Sequence, residues 1–175
     1  RSMNDGLYYT VLETEENGTQ VIMKYEYKTG AKKEIMVSQN DLISAGRTQP
    51  IYMESYQYDP DETKILISTE SEQIYRHSTK ENYYIWDRKR KKLSPLSTGG
   101  KQMLAEFSPD GSKIAFVRDN NLFVVFMDSK QELQLTFDGK WNNIINGKCD
   151  WVYEEEFGFD KAWFWSPDSY KIAYY

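Results

Sequence analysis

With 22 Lys and Arg against 27 Asp and Glu in 175 residues, the chain carries a formal net charge of −5, which argues against a general nucleic-acid binder. Its 39% hydrophobic content includes 5 Trp, 14 Tyr and 8 Phe, enough core-forming side chain to exclude disorder of the whole chain. No run has the length of a membrane-spanning helix, the first residues lack a signal peptide's apolar stretch, and Cys149 and His77 are each the sole residue of their type, so no membrane segment, intrachain disulfide, metal site or cofactor is expected.

In chain order, the first strand signals are Leu7–Leu12 and Val21–Tyr27, with an acceptor sequon, Asn17-Gly18-Thr19, between them. Ser38–Ile43 invites a short helix with Ser38 as its cap. Asp59-Pro60-Asp61 then opens the first of three similar segments, each with Lys-Ile three and four residues after the Asp that follows the proline. The others begin at Ser108-Pro109-Asp110 and Ser166-Pro167-Asp168, and each reads as a turn leading into a strand, because Pro presets φ and Asp bonds its own backbone. Between them lie Tyr83–Trp86, a basic hairpin tip over Arg88–Lys92, the apolar run Leu122–Met127, and a polar turn before Leu133–Thr136. Tyr153–Phe157, rich in Glu, is the second place that invites helix.

Pro60, Pro109 and Pro167 lie 49 and 58 residues apart, in the range of β-propeller blades with insertions. The fold expected is all-β, a partial propeller of three to three and a half antiparallel blades with a short helical insertion near residues 152–158. Blade edges left open favour self-association.

The densest constellation of chemical groups is Asp150-Trp151-Val152-Tyr153-Glu154-Glu155-Glu156-Phe157, flanked by Trp141, Trp163 and Trp165. Three adjacent carboxylates repel one another, so in a partly buried site at least one pKa rises unless a cation is supplied. On a strand Glu155 and Glu156 point to opposite faces, so convergence on one ligand requires helical or irregular backbone. The plain alternative is a solvated acidic turn beside a core Trp. His77 reads as a structural or rim residue and Cys149 as a small buried one.

The acidic segment resembles the Asp-Trp-Val-Tyr-Glu-Glu-Glu signature of the dipeptidyl peptidase IV family. Further stretches match in order: Tyr75-Arg76-His77-Ser78 before Tyr83–Asp87, Leu135-Thr136 with Asn142–Gly147, and Trp165-Ser166-Pro167. The resemblance spans about residues 56–175. It implies serine exopeptidases built from an eight-bladed N-terminal propeller and a C-terminal α/β-hydrolase domain, with residues 1–175 a fragment of the propeller and the catalytic domain outside this chain. It further implies that Glu155 and Glu156 clamp the free α-amine of a peptide substrate, that Arg76 meets the carbonyl of the second substrate residue, and that the enzyme is exported to the periplasm, cell surface or exterior. A Gly-x-Ser-x-Gly elbow is absent from the 175 residues, so no hydrolysis is expected of this chain alone. The partners expected are a peptide with a free N-terminus and the hydrolase domain. A non-catalytic propeller scaffold and a carbohydrate-active protein are the competing readings; the latter needs two carboxyls about 5–5.5 Å apart across a sugar cleft, and nothing else in the sequence points to one.

Overall fold

Three turns of one design follow from the repeated proline segments. In the computed structural model, which describes residues 1–43 and 47–175, each turn closes on an amide three residues along. Glu62 N–H donates to the Asp59 carbonyl at 2.9 Å, Gly111 to Ser108 at 2.8 Å and Ser169 to Ser166 at 2.9 Å. The donor is left-handed in all three, with φ of 55° at Glu62, 69° at Gly111 and 64° at Ser169. Gly111 adopts this freely, whereas Glu62 and Ser169 carry strain on the order of 1–2 kcal/mol. The side chain before the proline offsets it. Asp59 accepts from the Thr63 and Lys64 amides at 2.7 Å each, and the Ser108 and Ser166 hydroxyls accept from Lys113 N at 3.0 Å and Lys171 N at 2.9 Å. Those hydroxyls donate in turn to Asp110 at 2.6 Å and Asp168 at 2.5 Å.

The chain divides into two units. The first, Arg1–Thr69 with Tyr84–Pro95, holds a three-stranded antiparallel sheet in the order β1 (Tyr8–Thr14), β2 (Gln20–Glu26), β3 (Lys32–Ser38). A second sheet runs β4 (Ser55–Tyr58), β5 (Lys64–Gln73), β6 (Thr79–Asp87), β7 (Lys92–Pro95), and β5 and β6 continue from the first unit into the second. Ile22, Val37, Leu42, Ile51, Ile65 and Ile67 are among the buried residues of the first unit's core. The helix expected over Ser38–Ile43 shrinks to one 3-10 turn, Gln39–Asp41, capped by Ser38. Leu42 leaves helical geometry, with φ −90° and ψ 57°, and is fully buried in that core.

The second unit, Glu70–Tyr83 with Leu96–Tyr175, holds a sheet of β8 (Met103–Phe107), β9 (Lys113–Arg118), β10 (Asn121–Phe126) and β11 (Glu132–Gln134). A seven-residue helix, α1 (Trp151–Phe157), precedes the pair β12 (Trp163–Trp165) and β13 (Ile172–Tyr174). Asn121 to Val125 of β10 are all buried, which explains the unbroken apolar run. Phe116 of β9 stacks on Phe123 of β10 with centroids 5.4 Å apart, and Trp163 of β12, wholly buried, packs with Val117, Leu122 and Val124. Antiparallel sheets of three, four, four and two strands, in chain order within each blade, make an all-β, open, partial propeller.

Candidate functional site

The local sequence builds α1 from both ends. Asp150 caps it, Oδ1 accepting from Val152 N at 3.0 Å and Tyr153 N at 3.2 Å. Gly158 ends it with φ 73°, its N–H returning to the Glu154 carbonyl at 3.2 Å, a conformation most side chains resist. The signature aspartate is therefore spent on the helix, and the three glutamates fall on one short turn of it. Their environments then diverge. Glu154 is 2% exposed, Glu155 is half-buried and Glu156 is exposed.

The Arg76 loop is tied to this helix through main-chain bonds. Its ends meet where Ile74 N–H donates to the Ser78 carbonyl at 2.9 Å. Gln73 Nε2 donates to the carbonyls of Tyr75 at 2.6 Å and Arg76 at 2.7 Å. From the other side, Glu154 Oε1 accepts from the His77 amide at 2.5 Å and the Ser78 amide at 3.0 Å. Burial pushes the Glu154 carboxyl up, but hydrogen bonding from Ser78 and the His77 amide outweighs it and holds the group below the usual carboxylate range. For Glu154 the expected rise is thus reversed, chiefly because hydrogen-bond donors of the His77–Ser78 loop compensate the charge.

With its backbone held, the loop leaves the Arg76 side chain 71% exposed, Nη1 3.3 Å from Glu155 Oε2. Glu156 makes no ion pair among the described residues. The structure thus brings Arg76 and Glu155 together and sets Glu156 one residue along the same helix. His77 is exposed and contributes only its backbone to the contact with Glu154. Of the flanking tryptophans, Trp163 belongs to the core whereas Trp141 is 64% exposed. Cys149 is buried, and burial raises its thiol pKa. The bracing role of Glu154 is not readable from sequence, since it depends on a contact between segments 76 and 77 residues apart, whereas Gln73 acts locally, on carbonyls two and three residues along, and carries no sequence signal of its own.

A family model described as Dipeptidyl peptidase IV (DPP IV) N-terminal region matches residues 59–175. Dipeptidyl aminopeptidase B of Saccharomyces cerevisiae is 36% identical over 143 residues, which make up 78% of this chain and 17% of that protein. A probable dipeptidyl peptidase 4 of Aspergillus fumigatus is 34% identical over 168 residues, 93% of this chain and 21% of that protein. Among solved structures, Porphyromonas gingivalis dipeptidyl peptidase 4 superposes with a TM-score of 0.84 at 40% identity, over 97% of this chain and 23% of that one. TolB from Acinetobacter baumannii, at 16% identity and a TM-score of 0.53, shares the fold. The chain spans about a fifth of the length of these curated relatives. The family match over residues 59–175, in a chain that carries the acidic signature on α1, shows that this protein belongs to the dipeptidyl peptidase IV family and contains part of its N-terminal region.

Proposed function

We propose that residues 1–175 form part of the substrate-recognition propeller of a serine dipeptidyl peptidase, and that Glu155 and Glu156 anchor the free α-amine of the peptide. The observation that carries this is the separation of roles within the triplet: Glu154 is consumed by the backbone of the Arg76 loop, while on the same helical turn Glu155 faces only the Arg76 guanidinium and Glu156 is exposed. A peptide α-amine has a pKa of about 7.7–8.0 and is largely protonated at neutral pH, so a carboxylate pair distinguishes it from an internal amide. Two extended residues span roughly 7 Å, so the anchored amine sets which peptide bond reaches the nucleophile. That nucleophile belongs to an α/β-hydrolase domain of the whole protein, carrying a Ser-His-Asp triad. In this reading Arg76, beside Glu155, meets the carbonyl of the second substrate residue. The reading also makes the whole protein an exported one.

The test is kcat/KM of the full-length protein for dipeptidyl substrates with free and N-acetylated amines. Wild type should favour the free amine, and Glu155→Gln and Glu156→Gln should each lose activity and selectivity together. Unchanged selectivity in both variants sinks the clamp. Residues 1–175 on their own are expected to self-associate through open strand edges; sedimentation of a strict monomer at high concentration contradicts that.

A further inference from the structure

Within the second unit a cavity of about 580 Å³ opens beside the strand ends that carry the Arg76 loop. Four cations line it, Lys80, Lys101, Arg118 and Lys148, against one carboxylate, Asp119. Three of the cations are already ion-paired with two carboxylates that do not line the cavity. Glu72 takes Lys80 and Lys101 at 2.9 Å each, and Glu132 takes Arg118 at 2.5 Å.

Lys148 differs from these three. It is 7% exposed, and no carboxylate lies within 4.0 Å of its ammonium among the described residues. Its neighbours are rings: Nζ lies 6.0 Å from the centroid of Tyr75 and 5.8 Å from that of Trp141. Glu154 attracts it from farther away, but Glu154 Oε1 is committed to the His77 and Ser78 amides. Burial draws the Lys148 ammonium below the ordinary lysine range, and the attraction of Glu154 offsets only part of that. Holding a buried ammonium without an anion is costly, and face-on rings recover only a part of that cost.

The shape of the cavity narrows the choice of anion. Ligand pockets run to about 300–1,000 Å³ and combine apolar walls with a few convergent polar groups. Here Ile74, Met103 and the Trp141 ring supply the apolar wall, and the room exceeds what one inorganic oxyanion needs. We propose that this cavity binds a small organic anion, whose carboxylate or phosphate head meets Lys148 and whose apolar body lies against Trp141, Ile74 and Met103.

Calorimetric titration of the full-length protein with phenylacetate, phenyl phosphate and phenethylamine tests the site directly. At least one of the two anions is expected to bind, and the ammonium of the same ring is not. Binding by phenylacetate alone identifies a carboxylate head, by phenyl phosphate alone a phosphate head, and either supports the site. Lys148→Met, which keeps the side chain's length, should weaken the anion by about 10- to 100-fold. A loss under about threefold, within the weakest hydrogen-bond contribution, overturns the assignment. Should that variant fail to fold, wild type decides: phenethylamine binding as tightly as the anions, or neither anion binding at millimolar concentration, overturns it. Binding is read without turnover, so failure here leaves the amine clamp untouched.

Discussion

Asp110 and Glu155 are both carboxylates with a basic side chain nearby, yet they are committed to very different degrees. Asp110 Oδ1 accepts from the Ser108 hydroxyl at 2.6 Å, the Ser112 amide at 2.9 Å and the Ser112 hydroxyl at 2.7 Å, all within its own turn. The Ser108 hydroxyl, with the Ser112 bonds behind it, holds its carboxyl well below the usual range. Glu155, on a helix where neighbouring side chains fan out, has one basic partner, the exposed Arg76 at 3.3 Å. A carboxylate whose lone pairs are filled by donors of its own turn shapes that turn; one facing a single exposed guanidinium can take another cation. Glu154 stands between these extremes, filled by hydrogen-bond donors like Asp110 but from the backbone of a loop distant in sequence.

Substitution kinetics should separate the two kinds most widely. In the full-length protein Glu155→Gln and Glu156→Gln are expected to lower kcat/KM for free-amine dipeptides by about 30- to 1000-fold, with little change in Tm. Asp110→Asn should do the reverse, lowering Tm and leaving kcat/KM alone. Equal kinetic losses at Asp110 and Glu155 would erase the distinction.

Glu154 should show both effects. Glu154→Ala leaves the His77 and Ser78 amides without their acceptor, at a cost of about 1–3 kcal/mol in stability, and frees the Arg76 loop so that KM rises more than kcat falls. Glu154→Gln keeps an acceptor oxygen and should recover most of both. If the alanine variant matches wild type in melting and in KM, the bracing role is wrong.

Arg76→Ala should cost less, about 3- to 10-fold in kcat/KM, because its proposed partner on the substrate is a neutral carbonyl. A loss as deep as that of the glutamates would assign it a larger role.

The smallest effect is one of pH. The folded pKa of Asp110 is depressed, so its contribution to stability is present above the ordinary aspartate value of about 3.9 and fades as pH falls from there toward the folded value. Melting curves of wild type and Asp110→Asn should therefore converge below about pH 4. Parallel curves across that window would show that the turn does not depend on the charge.

The sequence made the turns legible because each is closed by residues within six positions of one another, and the run over β10 legible because a strand covered on both faces is apolar throughout. The outer strands were harder to see. Lys32, Lys33 and Glu34 open β3 and are all exposed, and β7 has only Leu93 buried, so neither shows the period of a half-buried strand. On α1 the residues of the signature were in view, and the family resemblance implied a clamp at Glu155 and Glu156, but the bracing by Glu154 was not in view. That Glu154 bonds the backbone of the His77–Ser78 loop depends on where that loop lies, and the lack of an ion pair at Lys148 on which carboxylates its neighbours have taken.

The pairing of Arg76 with Glu155 makes amine capture, in the proposed mode, an exchange of one cation for another. Added salt weakens a surface ion pair by screening. In an exchange it weakens what is given up as well as what is gained, so substrate affinity should respond less to ionic strength than the charge of the site suggests. The guanidinium displaced from Glu155 is then free at the moment a carbonyl arrives beside it, which ties recognition of the amine to recognition of the residue that follows.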